Sequence, residues 1–323
     1  MKIRHLLYAA TAATIALASC NKDDGGEPVV SHFPEDGVIR VTTNVNEAAL
    51  TRAGYDNSNL DNFWLRIVTG DGSDANYNYC VEASKSGSEW THDRMLWKDK
   101  TTPITMTAAV FGSHAFTASE FAGTVDLTIP TVQSSEDLLK VADLLVMPDA
   151  TIANPSTEQT LLNEDGKLVI TLVHALTKLD IALTLNNEFY RNSLNTANIQ
   201  DFTISTKDGF AFKASDGTAT ATTTAAEITP FLASATNATD VNKKSVANFE
   251  GIVVPETATK IIVTFKIGTK TYSWTSAEVE LKAGYRYAIA LEVGGDVVTL
   301  GNNGIHAAAW DDQTPSQNGL NTY

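Results

Sequence analysis

Cysteine is nearly missing from this chain, with two among 323 residues, and that scarcity excludes a disulfide scaffold. Basic residues are also short: 23 Lys and Arg stand against 38 Asp and Glu, a formal net charge of −15. Phosphate binding needs clustered Lys and Arg to displace counterions, so nucleic acid is excluded as a partner. The same charge opposes electrostatic docking on anionic lipid. Of the six histidines (His5, His32, His92, His114, His174, His306), no two stand two or four positions apart, and neither HExxH nor CxxC occurs. No metal site is therefore expected. A GxSxG elbow and a P-loop are absent as well. Asp71-Gly72-Ser73-Asp74 lacks the spacing and downstream Glu of a calcium loop and reads as an acidic turn. No catalytic residue and no cofactor is expected, so the chain reads as non-enzymatic.

Long apolar runs are lacking too. Leu6–Ala18 comes nearest, and its 13 residues fall short of a bilayer core of about 30 Å. Preceded by Lys2, Arg4 and His5, the run has the form of a secretory signal over residues 1–19. It ends Leu17-Ala18-Ser19-Cys20, which resembles a bacterial lipobox, in which the cysteine is acylated, with palmitate among the chains, and becomes the mature N-terminus. Two or three acyl chains anchor stably where one is marginal. The polar residues 21–28 form a tether, in which Lys22-Asp23-Asp24 resembles the acidic export tag of surface lipoproteins. Outer membrane and cell surface are the expected location. Once Cys20 is acylated only Cys80 remains, and it reads as a small buried hydrophobe.

What the chain has in quantity is β pattern. At 43% hydrophobic and 19% charged it is neither disordered nor a multi-span membrane protein. Residues 60–73, 77–83 and 104–112 are short runs of β-branched and aromatic residues split by Gly, Asn, Asp and Pro. In Lys260–Gly268, Ile261, Val263, Phe265 and Ile267 alternate with Ile262, Thr264 and Lys266, and Tyr287, Ile289, Leu291 and Val293 repeat the pattern. Period two with one apolar face marks half-buried antiparallel strands, and many of them indicate β-sandwiches. One short helix is expected, where Ser134 and Ser135 precede the stripe Leu138, Val141, Ala142, Leu145. The Thr/Ala tract at 218–226 reads as a flexible loop.

The run Leu168–Leu185 is too long for one ordinary strand. Its apolar phase also changes, from Leu168, Ile170, Leu172 and Leu176 to Leu179, Ile181, Leu183 and Leu185. Either a bulge lies near 175–178 or the chain leaves one sheet for another. A domain boundary is expected here, between 53–172 and 173–323. His174, inside this run, reads as a core histidine bonding neighbouring backbone. The five tryptophans (Trp64, Trp90, Trp97, Trp274, Trp310) are spread over the chain and read mostly as core or interface.

Several segments in order resemble the fimbrillin family, the shaft and tip subunits of type V pili. They are the lipobox, Leu50-Thr51-Arg52-Ala53-Gly54, and Asp143-Leu144-Leu145 ahead of Leu172-Val173-His174-Ala175-Leu176-Thr177-Lys178-Leu179-Asp180-Ile181. Gly251-Ile252-Val253-Val254-Pro255, Leu281-Lys282-Ala283-Gly284-Tyr285-Arg286-Tyr287 and Ile305…Trp310 follow. The resemblance implies an all-β fold of two tandem transthyretin-like β-sandwich domains with Greek-key-type antiparallel strands. It also implies a life history. The lipoprotein would be cut between Arg52 and Ala53, losing residues 20–52 with its lipid and first strand. The groove left behind would take a strand from another subunit, by donor-strand exchange, and the protein would join the fimbrium.

The residues suit that scheme. In Val38–Val45, Ile39, Val41 and Val45 lie on one face, opposite Arg40, Thr42 and Asn44. Burying each contributes roughly 1.5–3 kcal/mol, a large share of a stability of about 5–15 kcal/mol. Losing them leaves an edge that templates a foreign strand. The candidate donor is 297–310, carrying Val297, Leu300, Ile305, Ala307 and Ala309, which otherwise is simply the last strand of the C-terminal sandwich. Expected partners are other copies or related pilus subunits, a surface ligand not identified by sequence, and the outer membrane through Cys20 before processing. The alternative is a surface glycan-binding lipoprotein that keeps its anchor and gathers Trp and Tyr on one platform.

Overall fold

Short β-branched runs separated by Gly, Asn and Asp turns fold as strands throughout the residues that a computed structural model describes, 31–45, 54–222 and 225–310. The protein is all-β. In chain order come β1 (Val38–Ile39), β2 (Val41–Val45), β3 (Asn62–Thr69), β4 (Tyr79–Ser86), β5 (Glu89–Thr91) and β6 (Met95–Leu96). Then follow β7 (Ile104–Phe111), β8 (Val125–Thr128), β9 (Leu144–Ile152) and β10 (Leu168–His174), with α1 (Ala118–Ala122) and α2 (Glu136–Ala142) between them. Alternation sets the pleat: in β3, Phe63, Leu65 and Ile67 are buried while Asn62, Trp64 and Arg66 face the other way. β3 ends at Thr69 because Gly70 takes a left-handed φ of 59° and begins the turn.

Seven of these strands form one sheet in the order β2-β10-β9-β7-β3-β4-β5, and β1 pairs separately with β6. β9 carries Pro148 in its interior, where a ladder donor is missing. The register of β7 against β9 shifts between Met106 and Ala108, opposite that proline, and the bulge accommodates it. One face of the sheet buries a core that runs from Ile39 to Leu172 in sequence.

The second half supplies β11 (Thr177–Leu185), α3 (Asn187–Arg191), β12 (Ile199–Lys207), β13 (Gly209–Lys213), β14 (Thr218–Ala221) and β15 (Ala225–Ile228). It continues with β16 (Phe231–Thr236), β17 (Ser245–Val253), β18 (Glu256–Ile267), β19 (Lys270–Leu281), β20 (Tyr285–Val293) and β21 (Val298–Ala309). A five-stranded sheet, β16-β17-β11-β20-β21, faces a four-stranded one, β15-β12-β18-β19. Between them Phe202 stacks on Phe249 at 3.9 Å, the centre of a β-sandwich core.

A third sheet, β14-β13-β8, takes β8 from the first half and the other two strands from the second. Its Phe210 and Phe212 meet Phe111 and Phe116 edge-on. The second core therefore includes Phe111, Leu144 and Val146 of the seven-stranded sheet. The described residues from Ser31 onward belong to one compact unit.

Several expectations change here. The run 168–185 crosses between sheets: β10 lies in the seven-stranded sheet and β11 in the five-stranded one. The 218–226 tract is not a loop, since Thr218–Ala221 and Ala225–Ile228 are strands. Ala219 packs where its partner across the ladder is Phe212, so a small inward side chain is what the space admits. Among the described residues three short α-helices stand where one was expected. In α2, Leu139 and Ala142 are buried, Leu138 is 38% exposed, and Leu145 belongs to β9. Two ladders are parallel, β2 with β10 and β11 with β20. Cys80 is half-buried rather than buried, its thiol donating to Phe116 O at 3.5 Å.

Candidate functional site

β2 forms one edge of the seven-stranded sheet, and among the described residues β10 is its only neighbour there. The ladder runs parallel from Leu168↔Val41 to Leu172↔Val45. Ile39, Val41 and Val45 are 1%, 3% and 1% exposed and enter the same core as Leu168, Ile170 and Leu172. Arg40 turns outward, where an ion pair with Asp36 at 2.6 Å holds that carboxyl down at about 2. Backbone hydrogen bonds add to the apolar burial: Leu168 N donates to Arg40 O and Trp97 N to Gly37 O. At the end of β2, Asn57 accepts from Val45 N at 2.7 Å and donates to Val45 O at 3.0 Å.

β10 depends heavily on this neighbour. Its ladder with β9 is confined to Val173↔Val146 and His174↔Leu145, so residues 168–172 have β2 as their ladder partner, beside a single bridge to Leu162. Taking β2 away would bare most of β10 and the apolar core beneath it.

Cys20, Arg52 and Ala53 lie outside the described residues. The chain is described again from Gly54, and there five segments converge. Asp143, fully buried at the C-terminal cap of α2, accepts from Tyr55 N at 3.0 Å. The same carboxylate accepts from His174 Nδ1 at 2.9 Å. In this pair the carboxylate oxygens accept and the imidazole Nδ1–H donates. The imidazole stacks flat on Trp310, with centroids 3.8 Å apart and planes 3° from parallel. Trp310 N donates to Gly284 O at 2.6 Å. A Cβ on Gly54 would stand 2.9 Å from Asp143 Oδ2 and 3.3 Å from Trp310 Cζ2, at a φ of +109°. His174 is thus buried as expected, but its partner is a carboxylate 31 residues away rather than neighbouring backbone. In the sequence Asp143 stands in the Asp143-Leu144-Leu145 segment with no neighbouring residue that marks it as the partner of His174.

Lys178 lies just past the change of sheet and is fully buried, 2.9 Å from Glu250 and 3.6 Å from Asp180. Arg286 holds the other Asp180 oxygen at 3.1 Å. Burial still pushes the Asp180 carboxyl up, against the pull of Lys178.

β21 is an edge strand, antiparallel to β20 in the five-stranded sheet. Ile305 is buried and Ala307 and Ala309 are half-buried, while the register shifts between Ile289 and Leu291 of the partner. Val297 is 56% exposed and precedes the strand, so a donor strand would begin at Val298. The tryptophans do not gather: Trp97 and Trp310 are buried, and Trp64, Trp90 and Trp274 are half-buried on β3, β5 and β19.

A family model described as fimbrillin-like matches residues 51–307. No curated protein matches the chain. Among solved structures, a candidate cell adhesion protein of Bacteroides uniformis superposes with a TM-score of 0.56 at 20% identity, covering 86% of this chain and 99% of its own. Another from Bacteroides ovatus gives 0.55 at 14% identity, covering 83% and 96%. Both likenesses are of fold.

Proposed function

Because this chain belongs to the fimbrillin-like family, we propose that it is a structural and adhesive subunit, shaft or tip, of a type V pilus. It is exported as a lipoprotein through Cys20, cut after Arg52 at the cell surface, and polymerised by donor-strand exchange. The observation that carries this reading is the placement of β1 and β2 upstream of Arg52: β2 is an edge strand that buries Val41 and Val45, and β1 just before it buries Ile39. Removing them withdraws roughly 1.5–3 kcal/mol per buried side chain and opens β10 to a replacement strand. The reading divides the chain at 172/173, close to the passage from β10, which stays in the seven-stranded sheet to His174, to β11 in the five-stranded one. β21 is the donor candidate, supported by its edge position and small residues.

The test is the intact mass of the surface protein from native cells, with and without an Arg-specific protease. A product that starts at Ala53 and lacks acyl chains is expected, followed by SDS-resistant ladders on incubation. A protein that keeps its lipid and residues 21–52 after protease treatment overturns the shaft-or-tip reading.

A further inference from the structure

Alternation on β3 sends Phe63, Leu65 and Ile67 into the core and leaves the opposite face to Asn62, Trp64 and Arg66. An indole is the odd member of that polar row. Trp64 sits across the ladder from Glu82 on one side and Ala109 on the other. It packs against the second core and also lines an open-sided concavity of about 540 Å³. Around the indole stand two carboxylates, Glu82 and Asp93, two hydroxyls, Ser84 and Thr91, and the imidazole of His92.

We propose that this concavity is a binding site for a neutral pyranose unit of an oligosaccharide. The weakly positive C–H face of a pyranose stacks on the negative face of an indole, and Trp64 is held in place by the core it touches. Vicinal sugar hydroxyls are donors that match carboxylates placed beside the ring. Glu82 takes Asn62 Nδ2 at 2.7 Å on one oxygen, so its position is fixed by a neighbour on β3. Thr91 Oγ1 donates to Ser84 O at 3.1 Å, so its proton is engaged and the oxygen keeps its capacity to accept. The volume falls within the range of about 300–1,000 Å³ common for small-ligand clefts. Two carboxylates in a chain of net charge −15 select against acidic sugars. The site is lined from β3, β4, β5 and the segment after β5, with no residue of β2, so it can be tested separately from the pilus reading.

The experiment is calorimetry and tryptophan fluorescence on the purified protein. The probes are maltohexaose, laminarihexaose, mannohexaose and galactohexaose, with hexagalacturonate as the acidic counterpart. At least one neutral probe should bind with a millimolar or tighter Kd and perturb the fluorescence. Trp64→Ala should weaken it by about tenfold or more, while Trp274→Ala leaves it unchanged. The Glu82→Gln, Asp93→Asn double variant changes only exposed side chains, keeps the fold, and should weaken binding several-fold, so the proposal stays open to refutation should Trp64→Ala misfold. Absence of binding by all four neutral probes overturns it. So does tighter binding of hexagalacturonate, or affinity that the double variant leaves intact.

Discussion

A carboxylate shut off from solvent must accept hydrogen bonds on its oxygens, and Asp143 does so from Tyr55 N and His174 Nδ1. Asp143→Ala leaves both donors buried and unmet, at about 1–3 kcal/mol each. A matching loss of unfolding free energy, read as a lower urea midpoint at unchanged m, is expected. Gly54→Ala brings a methyl against the same carboxylate at a φ that L-residues rarely adopt, and should destabilise by about 1–3 kcal/mol. Circular dichroism melts would read that loss. Burial, together with the Asp143 and Asp61 charges, raises the Tyr55 hydroxyl well above the usual tyrosine range. A raised folded pKa gives stability that is complete below the unfolded value near 10 and is lost as pH rises above it. Tyr55→Phe should therefore flatten the alkaline decline of stability, by up to about 1.4 kcal/mol per pH unit. In the sequence, His174 stood out as a histidine in an apolar run. Asp143 did not stand out as its partner, because nothing local ties an acid at a helix cap to a histidine two strands later.

Strands were legible where the two faces differ in chemistry. Ile39, Val41 and Val45 against Arg40 and Asn44 leave no doubt about which side is buried, and the structure buries those three. The partner of that strand was not legible, since a parallel ladder between residues 41–45 and 168–172 depends on tertiary closure. The strand at 218–221 is hidden in the sequence for a different reason: Thr and Ala alternate there, but Ala counts little in a hydrophobic pattern even when, like Ala219, it is the buried residue facing Phe212. In the proposed assembly, β10 is the acceptor. A synthetic peptide of residues 36–47 added to Arg-processed protein should then suppress SDS-resistant ladders. The same peptide with Val41→Asp should not, because a carboxylate cannot enter the site that Val41 fills.

Across the whole molecule the two halves share a core, and the β14-β13-β8 sheet is the reason. Residues 173–310 produced alone would lack β8 and bare Phe210 and Phe212, so strong binding of a hydrophobic dye is expected, absent from the longer chain. The Trp64 site was legible only as a tryptophan, because its carboxylates come from β4 and the segment after β5. A last consequence belongs to the edge position of β2. While the chain is continuous, the strand is a tethered ligand, held near β10 at an effective concentration of order millimolar. A cut between 45 and 54 alters none of the contacts of β2. It changes the molecularity of the equilibrium, since a strand that leaves can return only by diffusion from a dilute exterior. One hydrolysed bond thus turns a fold's own segment into a competitor that loses by mass action to any subunit supplied at higher local concentration.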